Sequence, residues 1–265
     1  LAPLIRGYLE KRGTAAGDLD EGVREFLRAE GYGDWSGITG VQGTRAMVRA
    51  GLAEVRRALR GIARPAVVTD ARMVWMIRLA RALQWLPQFD RKLAILPSLT
   101  GVRGLAAGIP TSEYMQSVYW AVGEPPPDQD DVDPDHSACG IIYFAPLMPL
   151  DGNTCGQASA LISEVFGRHG FVPYITFNII DPQNLEAVVN VSFNREEPGR
   201  REKAEQTVDD LHVAFRERGW LPYRLGIREM SNWVVQGDCF WDVAEGIKRA
   251  LDPAGILSPG RYNPR

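Results

Sequence analysis

Hydrophobic and polar positions alternate most regularly in the second half of the chain. From 171 to 180, Phe171, Ile175, Phe177 and Ile179 fall on one side, and Val172, Tyr174, Thr176 and Asn178 on the other. Asp181–Pro182 turns the chain, and residues 186–193 alternate again, with Ala187, Val189, Val191 and Phe193 facing one way. A period of two predicts half-buried strands. Before this hairpin, CGIIYFAPL (139–147) reads as a buried strand, followed by a helix with Ala158, Leu161, Ile162, Val165 and Phe166 on one face, ended by Gly170. After the hairpin, Ala204, Val208, Leu211 and Phe215 recur at helical spacing over 200–218, and a short strand in GWLPYRLG carries Tyr223 and Arg224. The order β-α-β-β-α-β predicts an α+β fold, a ferredoxin-like antiparallel sheet with flanking helices.

Strand alternation also separates the two faces of that sheet. One is apolar and predicted to lie under the two helices. The other bears Tyr174, Thr176, Asn178, Asn190 and Ser192 together with Val172 and Val188. Such a mixed face suits a ligand cavity, although alternation alone favours the ordinary solvent face of an antiparallel sheet.

The first half is less regular. A helical run is predicted near Val23–Ala29, a Gly-rich loop over GYGDWSGITGVQG, and a helix from Thr44 with Val48, Leu52, Val55 and Leu59 in phase. ARPAVVT (63–69) reads as a strand, with Asp70 capping a helix that runs to about Trp85. Pro97, Gly101, Gly104 and Gly108 interrupt any long helix, and Thr111 can cap one reaching Trp120. GEPPPDQDDVDPDH reads as a solvated loop, since its aspartates lack calcium-loop spacing. A last helix over 238–251, apolar at Phe240, Val243, Ala244, Ile247 and Leu251, is stopped by Pro253 and Gly255.

Composition narrows the function classes. The chain has 265 residues, 45% of them hydrophobic, and a net charge of −3. That balance offers no footprint for a nucleic acid. No apolar run approaches the roughly 20 residues a membrane helix needs, and the opening LAPLIRGYLEKRG lacks the apolar core of a secretory signal, so a cytoplasmic protein is the default expectation. The 3 cysteines, Cys139, Cys155 and Cys239, are too scattered for a disulfide framework or a metal site. With only 3 histidines, zinc or serine–histidine chemistry has little material.

Several segments together resemble the vanillyl-alcohol oxidase and p-cresol methylhydroxylase flavoprotein family: GYGDWSGITGVQG, GIPT, IIYFAPL, the Thr176–Phe177 pair, PYR at 222–224 and ALDPAGILSPGR. The resemblance runs from about residue 30 to the end. DPxGILxPG marks FAD-linked oxidases broadly, and the Tyr–Arg pair points to the phenol-oxidising branch. The resemblance implies that residues 1–237 form a cap or substrate domain and that 238–265 form a helix and tail returning to a flavin-binding domain. That domain normally precedes the cap, and nothing in these residues replaces it: no GxGxxG follows a strand and no P-loop is present. It is expected on a further part of the protein or on a separate chain, and this portion is expected to be inactive without it.

The implied reaction is FAD-dependent oxidation of a para-substituted phenol, a 4-alkylphenol or 4-hydroxybenzyl alcohol, by hydride transfer to flavin through a quinone methide. A free phenol keeps its proton to about pH 10, and ionising it near neutrality asks for about 4 kcal/mol of differential stabilisation. By resemblance, Tyr223 donates its hydroxyl to the phenolate oxygen, and Arg224 supplies a permanent positive charge to phenolate and flavin. Adjacent residues on a regular strand point to opposite faces, so both can serve one site only where the strand bends, which Pro222 allows. Without a ligand, the pair reads as a tyrosine packed at the sheet edge and an arginine paired with a surface carboxylate. By the same resemblance Tyr143, Thr176 and Val188 align with the substrate cavity, and Arg261 approaches either the FAD phosphates or a carboxylate across the domain interface. Where some relatives carry a histidine that links FAD covalently, this chain has Ile141, so non-covalent FAD is expected. Oxygen, a cytochrome or a copper protein would accept the electrons, and a homodimer is expected. Two other readings stay open: an FAD-linked oxidase of a non-phenolic alcohol, and a non-catalytic ferredoxin-like module binding a ligand or protein.

Overall fold

A computed structural model of the chain describes residues 21–30, 32–33, 35–63, 65–82, 100–101, 104–105, 108–110, 118–119 and 133–262. The chain divides into two compact units, residues 1–140 with 193–197, and 141–192 with 198–265.

The first unit contains helices α1 (Glu21–Ala29), α2 (Arg45–Ala58) and α3 (Asp70–Ala82). Thr44 caps α2 as expected, its Oγ1 accepting the Met47 N–H at 3.4 Å. The cap of α3 is Thr69 rather than Asp70: Thr69 Oγ1 accepts the Arg72 N–H at 3.3 Å. Residues 65–69, expected as strand, form no ladder. The Val67 carbonyl accepts instead from the Arg72 guanidinium at 2.9 Å, so the segment is tied to its own helix. The expected helix end at Trp85, the breaks at 97 and the Thr111 cap lie outside the described residues. So does most of the acidic Pro-rich loop, of which Pro134–His136 forms a single 3-10 turn.

The second half folds as its periodicity implies. Strands β1 (Cys139–Phe144) and β2 (Pro146–Pro149) are followed by α4 (Gly152–His169), β3 (Tyr174–Ile179), β4 (Asn184–Asn194), α5 (Arg200–Arg216), β5 (Leu221–Pro222), a short α6 (Met230–Trp233) and α7 (Cys239–Leu251). The sheet is antiparallel where its register is defined. β4 has β3 on one side, β1 and β2 in succession as its other neighbours, and β5 outside β2. This is the ferredoxin-like arrangement with its α+β character.

Two departures are local. The expected strand 139–147 is broken at Ala145, because Pro146 brings no N–H to a ladder. Pro146 also lies opposite Pro222, so neither residue of that pair donates. The strand expected to hold Tyr223 and Arg224 ends at Pro222, and both residues lie in the bend that follows.

The turns are built by carboxylates. Asp151 caps α4, accepting the Thr154 N–H at 2.8 Å and the Thr154 hydroxyl, and these bonds hold its carboxyl below the usual range. Asp181 accepts from the Asn184 side chain and from the N–H groups of Gln183 and Asn184, closes the β3–β4 turn, and is lowered likewise. Gly170 ends α4 at φ 69°, a left-handed value an L side chain resists.

The core lies where α4 and α5 cover one sheet face. Ala187, Val189 and Val191 of β4 are fully buried with Ile162, Val165 and Phe166 of α4 and Val208, Leu211 and Phe215 of α5. Phe144 meets Phe215 and His212 edge-on at 5.0 and 4.9 Å between ring centroids. Gly140 lies on the same side as Phe193: a Cβ there would stand 2.4 Å from the Phe193 ring. By alternation Gly140, Ile142 and Phe144 face the helices, and Ile141 and Tyr143 face away.

Candidate functional site

The face turned away from α4 and α5 gathers most of the expected site residues, all within the second compact unit. Register fixes the rows: Tyr174 opposite Asn190, Thr176 opposite Val188, and Asn178 opposite Glu186. The last row continues through Leu147, opposite Glu186, to Leu221. Directly opposed residues of an antiparallel pair share a face, so Tyr174, Thr176, Asn178, Glu186, Val188, Asn190, Leu147 and Leu221 lie together. Tyr143 joins them by alternation. The face is rich in exposed rings: Tyr143 is 58% exposed, Tyr174 60% and Tyr223 52%.

Sequence reasoning overlooked one pair on this face. Glu186 is largely buried, and its carboxylate accepts the Asn178 amide at 3.0 Å. Its place follows from the same alternation that picked out Val188, Asn190 and Ser192, read one step further along the strand.

Tyr223 and Arg224 stand at the edge of this face. The Tyr223 N–H donates to the Ala145 carbonyl at 2.7 Å, the last bond between this segment and the sheet. The chain then bends, and the Arg224 guanidinium lies over the Tyr223 ring, 5.4 Å from its centroid. The bend thus brings the two side chains together, as one shared site requires. Arg224 has no carboxylate partner among the described residues, unlike Arg228, which pairs with Glu205, Asp209 and Glu229. A cation with only a ring beneath it, beside a phenol hydroxyl, is a ready partner for an anionic aromatic ligand.

The DPAGILSPGR segment is a built turn. The Asp252 carboxylate accepts the Ile256 and Leu257 N–H groups at 3.1 and 2.9 Å and pairs with Lys248, whose ammonium also donates to the Leu257 carbonyl. The Lys248 partnership and these N–H groups keep the Asp252 carboxyl below its ordinary range. Arg261 follows on the same tail and is exposed, with its N–H bonded to the Ser258 carbonyl at 3.2 Å. No described contact joins it to Tyr223 or Arg224. The apolar residues of α7 point outward too: Phe240, Val243, Ile247 and Leu251 are all exposed.

The arrangement fits a flavin. An isoalloxazine is a flat aromatic body with an apolar dimethylbenzene end and a polar pyrimidine end that becomes anionic on reduction. The open face offers exposed aromatic rings to pack on it and one guanidinium without a carboxylate partner among the described residues.

No family model matches the chain. Among curated proteins it is 36% identical over 156 residues to the 1'-carboxy-chondrochloren decarboxylase of Chondromyces crocatus, covering 59% of this chain and 28% of that protein. It is 30% identical over 124 residues to the 4-cresol dehydrogenase [hydroxylating] flavoprotein subunit of Pseudomonas putida, covering 46% of this chain and 23% of that one. The chain therefore spans about a quarter of the length of these relatives. Among solved structures, the 4-ethylphenol oxidase of Gulosibacter chungangensis, in complex with isoeugenol, superimposes with a TM-score of 0.61 over 94% of this chain and 43% of that one, at 18% identity, and so shares the fold. The chain is related to flavoprotein oxidoreductases, and its resemblance to the vanillyl-alcohol oxidase and p-cresol methylhydroxylase family is borne out. Among the described residues no helix is long and apolar enough to cross a membrane.

Proposed function

We propose that the chain is the substrate-binding part of an FAD-dependent enzyme that oxidises a para-substituted phenol. The observation that carries this reading is the Arg224 guanidinium lying over the Tyr223 ring at the rim of the open sheet face, with no carboxylate partner among the described residues. Its support from outside the chain is the pair of phenol-named relatives.

The substrate ring lies on the open face, flanked by Tyr143, Thr176 and Val188. The Tyr223 hydroxyl donates a hydrogen bond to the phenol oxygen. Arg224 adds a charge that persists on desolvation, so the bound phenol gives up its proton near neutral pH. Electron density from that oxygen then favours loss of hydride at the para carbon and leaves a quinone methide. When bound, FAD supplies the two-electron acceptor. Arg224 and Arg261 are the residues of this chain that would face it, and Ile141 offers no side-chain nucleophile for a covalent link.

Residues 1–237 serve as the cap, and 238–265 return to the flavin-binding part, against which the exposed apolar side of α7 would close. That part lies elsewhere in the protein or on a partner subunit. A terminal electron acceptor and self-association complete the expected partners.

The test is the pKa of a bound phenol, followed by phenolate absorbance in the complete flavoprotein. It should fall well below about 10 and rise by one to two units, roughly the worth of a hydrogen bond to a charged group, in Y223F. An unshifted bound phenol in the unaltered protein overturns the reading and favours a non-phenolic alcohol; a protein that holds no flavin favours a non-catalytic module.

A second reading is favoured by the 36% identity to a protein named as a decarboxylase. Here the phenol carries a carboxylate that leaves as carbon dioxide, the electron pair of the broken C–C bond staying on carbon and taking up a proton, and Arg224 would hold that anion before it departs. Carbon dioxide released from a carboxylated phenol, with no oxidation of an alkylphenol, would select it.

A further inference from the structure

The bend that joins Tyr223 to Arg224 needs an explanation, because the sheet does not supply one. β5 pairs with β2 through only Leu221 and Pro222, and the Tyr223 N–H takes the last bond to the neighbouring strand. In an antiparallel ladder, bonding groups return to the same edge at every second residue. The next N–H due to that neighbour is Leu225's. Instead, the Leu225 N–H donates to the Tyr262 Oη at 2.9 Å, across 37 residues of sequence, and the same hydroxyl lies 3.5 Å from the Leu225 carbonyl.

Tyr262 is itself held in place. Its ring stacks on Trp241 of α7, with centroids 6.4 Å apart and planes 23° from parallel. Its backbone has φ 54°, a left-handed value that a bulky L residue adopts rarely and keeps only where its surroundings enforce it. Below the bond, the Leu225 side chain is buried with Met230 and Val234, and Trp241 packs against the same cluster.

We propose that Tyr262 is a positioning residue. Its hydroxyl replaces the sheet as the partner of the Leu225 N–H and so fixes the bend that sets Arg224 over Tyr223. The inference rests on the phenolate reading of that pair. It makes affinity for the phenolate depend on how the C-terminal tail is seated.

The experiment uses the complete flavoprotein and compares Y262F with Y223F. Y262F removes one oxygen from a side chain that is 38% exposed, so folding is expected to survive, and the melting temperature checks it. The ligands are 4-ethylphenol and its methyl ether, which cannot ionise. If Tyr262 positions the pair, Y262F speeds hydrogen exchange at the Leu225 amide and weakens 4-ethylphenol binding about five- to tenfold, the worth of one hydrogen bond. Binding of the ether stays unchanged. Unaltered exchange and phenol affinity in Y262F overturn the proposal. So does an equal loss for phenol and ether, which would mean a general loosening. Y223F separates the two levels: a loss in Y223F without one in Y262F ends the positioning role alone, whereas no loss in Y223F ends the phenolate reading beneath it.

Discussion

The two faces of the sheet come from one alternating pattern and serve opposite ends. On the helix-covered face Phe144, Ala187, Val189 and Val191 are fully buried, and the residues are chosen for shape. On the open face Tyr143, Tyr174 and Tyr223 leave more than half of their surface exposed, next to a buried Glu186. An ordinary solvent face is polar. Three exposed tyrosine rings gathered on and beside one sheet face are the kind of patch that a binding partner covers. One face holds the fold, and the other is held by it.

That contrast can be broken by substitution. The largest effect is expected from Phe144→Ala, which removes a fully buried ring and should cost about 3–5 kcal/mol in urea unfolding. Tyr174→Ala on the open face should stay within about 0.5 kcal/mol. Similar losses at the two sites would erase the distinction. Next comes Gly140→Ala, where a methyl group would meet the Phe193 ring, an overpacking expected to cost about 1–3 kcal/mol. Full stability in that variant would mean that Phe193 has room to turn away.

The smallest effect concerns acid. His212 on α5 is wedged edge-on between Phe144 and Trp233, and its Nδ1 has no partner among the described residues. Burial lowers its pKa, a shift that nearby Glu229 and Asp209 oppose and Arg216 and Arg228 reinforce. Because the folded pKa is depressed, the unfolded chain takes up the proton first. Stability should be full above about pH 6.5 and decline as pH falls below it toward the folded value. His212→Phe should flatten the stability profile below about pH 6.5. A slope unchanged by that substitution would assign the acid response to other groups.

The amount of this that was legible in the chain depended on whether a signal was periodic. Period-two and helical patterns identified both hairpin strands and both covering helices, since burial acts on every turn or alternate residue; the helix near the C-terminus showed the same spacing although its apolar residues are exposed. The same alternation separated Thr176 and Val188 from the core. Segment 63–69 misled, because its three β-branched residues, Val67, Val68 and Thr69, favour a strand only if a partner exists, and here Arg72 claims the Val67 carbonyl instead. The length of β5 was also hidden: facing prolines at 146 and 222 shorten the pairing, and that meeting is decided by the fold. Tyr262 left no trace in sequence, because a single hydrogen bond to a backbone group 37 residues away has no period. The placing of Arg224 over the Tyr223 ring depended in turn on that bend.

The most direct measurement is a structure of the complete flavoprotein with a para-alkylphenol bound. The phenol oxygen should lie about 2.5–3.0 Å from Tyr223 Oη, with the Arg224 guanidinium beside it and the ring against Thr176 and Val188. A phenol oxygen turned toward other groups, with Tyr223 and Arg224 pointing into open water, would contradict the assignment.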